Sequence, residues 1–134
     1  MRVRPKLTAA VLVIVTLVAV VVAVTRAYFG AMGLVMKRQA QVFYSCEISL
    51  ADCSFAKEFT TREFRSEAKD ARDRLGPVLE VHRIDSEYSG PVMDKAVFVW
   101  TRRSSGFYRE VLVYRSKTFL MLQRPEPQSA APPR

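Results

Sequence analysis

TREFRSEAKDARDRLGPVLEVHRI, residues Thr61–Ile84, changes its period half-way, and that change decides the fold. In the first half Phe64, Ala68, Ala71 and Leu75 recur at spacings of four, three and four, the stripe of a helix with one face on a core. Thr61 is a natural N-cap, and Asp70/Arg74 and Lys69/Asp73 are spaced as i,i+4 pairs on the opposite face. Gly76 suits the position after the last turn and Pro77 blocks continuation. Beyond Pro77 the apolar period falls to near two, and Val78–Ile84 reads as a strand.

Toward the C-terminus the strand pattern repeats. After a loop at Ser89-Gly90-Pro91, Lys95–Arg103 is a second strand, closed by the hairpin loop Ser104-Ser105-Gly106. Phe107–Arg115 is a third, with Arg109 and Glu110 on opposite faces. A two-residue turn at Ser116-Lys117 leads to a fourth, Thr118–Gln123, in which alternation puts Phe119 and Met121 on one face and Leu120 and Leu122 on the other. Residues 125–134 hold four of the seven prolines and no large apolar side chain, the composition of a disordered tail. Helix first and meander after argue an α+β domain: one or two helices packed on a curved antiparallel sheet of three to four strands.

Toward the N-terminus, residues 37–46 (KRQAQVFYSC) read as a short helix or as the end of a longer one, with Val42, Phe43 and Cys46 near one face. Before them runs LTAAVLVIVTLVAVVVAVT, Leu7–Thr25, without a charge. Nineteen residues at about 1.5 Å each reach roughly 28 Å, the hydrocarbon thickness of a bilayer. A cleaved signal peptide would have a shorter apolar region ending in small residues; Thr25 and Arg26 fit that poorly, which favours an uncleaved anchor. The expected division is a cytoplasmic stub over 1–6, a transmembrane helix over 7–25 with apolar residues continuing to Met36, the α+β domain over 37–124, and the tail. Basic residues flank both ends of the span, so the positive-inside bias is small; retention of a short N-terminal stub favours a single-pass protein of the cell (inner) membrane with an exported domain.

The net charge of +8 shrinks to +4 for residues 37–134, which hold seventeen basic and thirteen acidic side chains. Much of the excess therefore flanks the span, where it meets lipid headgroups. No basic run with interleaved aromatics is present, which argues against nucleic acid as a partner.

Several residues carry candidate chemistry. Cys46 and Cys53 are a disulfide candidate in an exported domain. Seven residues of unbroken helix would separate their Cα atoms by about 10.5 Å, so a bond requires the chain to turn within 47–52; two reduced thiols are the alternative. Their spacing is not that of a redox pair, and with one distant histidine they supply too few metal ligands. That histidine, His82, lies near Asp85 and Glu87 in sequence without any catalytic or phosphate-binding motif, so an enzyme and a cofactor are not expected. Phe98, Trp100, Phe107, Tyr108 and Tyr114 divide between core and a pocket or partner surface. Arg102, Arg103, Arg109 and Arg115 around the hairpin are candidate anionic contacts, or charges guarding a strand edge.

The layout of basic stub, anchor, helix ending in Leu75-Gly76-Pro77-Val78 and aromatic hairpin Phe107–Leu122 resembles small membrane-tethered NTF2-like and cystatin-like domains. A second resemblance is to the Coa1/Tim21-like assembly factors, from which the chain departs in its Leu-Gly-Pro-Val spacing and the extra segment 39–58. The first resemblance implies a small-ligand module with a concave pocket, and the second an accessory subunit of a membrane complex. The expected function is non-enzymatic binding, with membrane lipid around 7–25 and a membrane protein as partners.

Overall fold

A computed structural model describes residues 5–49, 53–87 and 95–132. Helix α1 spans Pro5–Ser49, a 3₁₀ helix Ser54–Phe59 and helix α2 Arg62–Leu75. Strands follow at Val78–Glu87 (β1), Lys95–Arg103 (β2), Gly106–Arg115 (β3), Thr118–Leu122 (β4) and Glu126–Gln128 (β5). The fold is α+β. Two compact units divide the chain, Met1–Met32 and Gly33–Arg134.

The first unit is the N-terminal part of α1. Its apolar side chains face outward, with Leu7, Leu12, Ile14, Leu17 and Val21 each more than half exposed. The most apolar 18-residue window has a mean hydropathy of 3.1 with none of it buried, so the helix is long and apolar enough to cross a membrane. Thr16, near the middle of the run, donates its hydroxyl to the carbonyl of Leu12 at 2.8 Å and presents no unsatisfied group.

The second unit is built on an antiparallel sheet in the order β1-β2-β3-β4, with β5 pairing β3 beyond β4. Its inner face receives Met36, Ala40, Phe43 and Tyr44 from α1 and the predicted stripe Phe64, Ala68 and Ala71 from α2. Phe64 stacks on Phe119 at 5.6 Å, and Phe43 and Tyr114 meet that pair edge-on at 5.0 Å each; such contacts add about 0.5–1.5 kcal/mol apiece beyond area burial. The ends of α2 are those the sequence calls for. The Thr61 hydroxyl accepts from the Phe64 amide at 3.1 Å, Asp70 pairs with Arg74 at 2.8 Å, and the Gly76 amide donates to the Arg72 carbonyl at 2.9 Å. Gly76 has φ +87°, and a Cβ there would lie 1.7 Å from the Ser104 hydroxyl, so backbone and space both require glycine.

Three expectations are corrected. A register shift between Val113 and Tyr114 inserts Leu120 as an extra residue. Phe119 and Leu122 therefore face the core and Met121 faces out, reversing the simple alternation. Residues 126–128, assigned by composition to a disordered tail, form β5 against Phe107–Arg109; an edge position tolerates Pro127, because its missing N–H need not face the ladder. The sheet accordingly has five strands, and β1 runs on to Glu87. The loop expected at Ser89-Gly90-Pro91 lies outside the described residues.

Candidate binding surface

The inner face holds a polar cluster that positions its neighbours. Alternation along β3 sends Tyr108, Glu110, Leu112 and Tyr114 inward, so a carboxylate enters an aromatic core. Glu110 is fully buried and is satisfied on every side. Arg103 donates to it through Nη2 at 2.8 Å and Nε at 3.3 Å, the Tyr44 hydroxyl donates at 3.0 Å, and Thr101 donates to its other oxygen. Arg103 Nη1 also donates to the Gly76 carbonyl at 2.9 Å, so one ion pair ties α1, the end of α2 and the sheet together. Burial, and then the neighbouring Glu110, hold the Tyr44 phenol well above its ordinary pKa. Burial lowers the Arg103 pKa, but its hydrogen bonds to Glu110 outweigh that and leave it raised. Both groups keep their protons, and the cluster is a clamp with no free acid or base.

The outer face is different. Phe98, Trp100 and Phe107 stand on it half-buried, with Val111 and Val113 beside them, and no described element covers them. The guanidinium of Arg83 lies 5.4 Å from the Trp100 ring centroid and that of Arg109 5.6 Å from Phe98. Each of these arginines also has a carboxylate at 2.7 Å, Asp85 for Arg83 and Glu126 for Arg109. Arg102 lies 3.5 Å from Glu80. The face is thus apolar at its centre and internally neutralised at its rim.

Sequence-predicted site residues separate accordingly. Phe98, Trp100, Phe107, Arg102 and Arg109 share the outer face, whereas Tyr108 and Tyr114 are buried on the inner one. Arg103 is not an anionic contact: at 3 % exposure it is spent on Glu110. Arg115 is exposed at the end of β3. Cys46 and Cys53 are bonded, with Cα atoms 5.9 Å apart, joining the last turn of α1 to the 3₁₀ helix. His82 occupies a register shift in β1, its ring 5.7 Å from Phe107 and its Nε2 3.7 Å from Glu80. Asp85 serves Arg83, and Glu87 is exposed at the end of β1. These three do not form a catalytic group, and no set of three or more His, Cys, Asp or Glu among the described residues is arranged to hold a metal.

Glu110, Thr101 and Tyr44 are the residues that the sequence reading missed. The signal was present in Tyr108-x-Glu110-x-Leu112-x-Tyr114, because a carboxylate on an otherwise apolar face demands a buried partner. An open groove of about 300 Å³ also runs between α1 and β1, lined by Gln41, Tyr44, Ser45, Ile48 and residues 81–84. No family model, curated protein or solved structure matches the chain.

Proposed function

We propose that the protein is a single-pass membrane-anchored binding subunit whose domain, displayed on the oxidising side of the cell membrane, docks a membrane protein partner through the outer face of its sheet. The observation that carries this reading is the uncovered patch around Trp100, in which aromatic rings, stacked arginines and neutralising carboxylates stand together. Trp, Tyr and Arg are the side chains that dominate protein–protein hot spots. The span Leu7–Thr25 supports membrane attachment, and the Cys46–Cys53 bond supports an oxidising compartment.

The accessory-subunit expectation is favoured over a small-ligand module because the inner face of the sheet is filled by Tyr44, Phe64, Tyr114 and Phe119. A ligand pocket of the NTF2-like kind would need that space. The test is capture from mild detergent with the full-length protein and its Trp100→Glu variant. A defined membrane protein recovered in near-stoichiometric amount with the wild type and lost with the variant is the expected result. Equal recovery by both, or none by either, contradicts the reading.

A further inference from the structure

The outer face is complementary to itself. Its side chains fall into cross-strand rows fixed by register, and the central row reads Arg83, Trp100, Arg109, Glu126 across β1, β2, β3 and β5. A two-fold axis parallel to the strands, passing between β2 and β3, lays a second sheet on the first with the strand order reversed. Arg83 then stands opposite Glu126 of the partner subunit, and Trp100 opposite Arg109 of the partner subunit. The row toward one end of the sheet is Glu80, Arg102, Phe107, Gln128, and reversal places Arg102 against Phe107 of the partner subunit and Glu80 against Gln128 of the partner subunit. In the next row Phe98 meets Val111 of the partner subunit. Each of these juxtapositions is attractive: ion pair, cation over ring, carboxylate to amide, apolar to apolar.

Charge follows the same plan. On the β1–β2 side of that axis the face carries Glu80, Asp85 and Glu87 against Arg83 and Arg102, and on the β3–β5 side it carries Arg109 and Arg115 against Glu126. One flank is net acidic and the other net basic by equal amounts, so reversal brings unlike flanks together. A lipid surface would instead need a single sign of charge. From these observations we infer that a second copy of this chain covers the outer face, giving a two-fold symmetric homodimer packed sheet to sheet. This rests on reading that face as a protein-binding surface and names its occupant.

Size is consistent with a weak dimer. Four strands about 4.8 Å apart and eight residues of about 3.3 Å give a face on the order of 500 Å² per copy. Two such faces bury about 1,000 Å², the lower bound for a specific interface. Aligned sheets pack near −30°, which keeps facing rows in reach at the centre. Confinement of both copies to one membrane raises their effective concentration and makes a modest interface sufficient.

The experiment is the mass of the full-length protein in mild detergent, read by light scattering across a hundredfold dilution, for four chains: wild type, Trp100→Glu, Arg83→Glu and Arg83→Glu with Glu126→Arg. The wild type is expected as a dimer that dissociates on dilution, and Trp100→Glu is expected to weaken it at least about thirtyfold. Arg83→Glu should weaken it several-fold, and the double substitution should recover most of that loss, because the pair is restored between copies. All three substituted positions lie on the outer face, and an unchanged far-ultraviolet circular dichroism spectrum reports the fold. A monomeric wild type, a dimer indifferent to Trp100→Glu, or no recovery by the double variant overturns the inference. The partner reading fails separately: a monomeric wild type that loses its captured partner on Trp100→Glu removes the dimer and keeps the binding face, whereas a dimer lost on Trp100→Glu with no other protein captured through that face keeps the dimer and removes the foreign partner.

Discussion

Glu110 shows what a single residue does here. It is a fully buried carboxylate whose charge is met by Arg103 and whose remaining lone pairs are met by Tyr44 and Thr101. Removing one partner of such a pair leaves the other charge buried alone, which costs about 3–5 kcal/mol. Glu110→Gln is therefore expected to lower the denaturation midpoint by an amount equivalent to about 3 kcal/mol or more, measured by chemical unfolding of the full-length chain. Glu47 acts in the opposite sense. Burial pushes its carboxyl up, against the pull of Arg72 at 3.8 Å and of Arg103. A raised carboxyl pKa means the folded state binds the proton more readily than the unfolded chain. The stability linked to it is complete below the unfolded value of about 4.3 and is lost as pH rises through the folded value. Glu47→Gln should match the wild type below the unfolded carboxyl value and gain on it as pH rises beyond that, read from denaturation midpoints across the acid range. At the β3–β4 turn Ser116 and Lys117 both have positive φ, 51° and 64°, the geometry of a type I′ turn without its usual Asn-Gly. Lys117→Gly is expected to raise stability by about 1 kcal/mol, a gain visible as a higher Tm.

At the scale of elements, the sequence was most informative where local chemistry decides the outcome. Helix α2 begins at the Thr61 cap and ends at Gly76 because those groups satisfy its free amides and carbonyls, and the change from period 3.6 to 2 marks where β1 starts. It was least informative where a distant neighbour decides. The extra residue at Leu120 depends on how β4 seats against β3 while Thr61 bonds the Phe119 and Leu120 carbonyls. Strand β5 forms because β3 offers an edge beyond β4, which nothing in a proline-rich tail announces. The outer face was partly legible, since Phe98 and Trp100 alternate with the core residues of β2, but the membership of Phe107 and Arg109 needed the hairpin register. The Cys46–Cys53 bond closes a short loop, for which chain entropy predicts about 2–3 kcal/mol of stabilisation. Reduction of the full-length protein, or Cys46→Ser with Cys53→Ser, should lower the midpoint by that amount and free the last turn of α1, seen as loss of amide protection at residues 46–49.

At the scale of the whole molecule, two features of unlike chemistry have to hold in one protein. An apolar helix long enough to cross a bilayer precedes a domain whose only two cysteines are bonded. They are the two features on which the proposal of an anchored chain with residues 33–134 on the oxidising side rests, and the binding role is proposed from what that domain then presents. The most direct measurement is thiol labelling of the full-length protein in carbonate-washed membranes, using a bulky maleimide before and after reduction. The protein should remain with the membrane pellet and take up no label until the disulfide is reduced, after which both cysteines react. Release into the carbonate supernatant, or labelling without reductant, would contradict an anchored, exported domain.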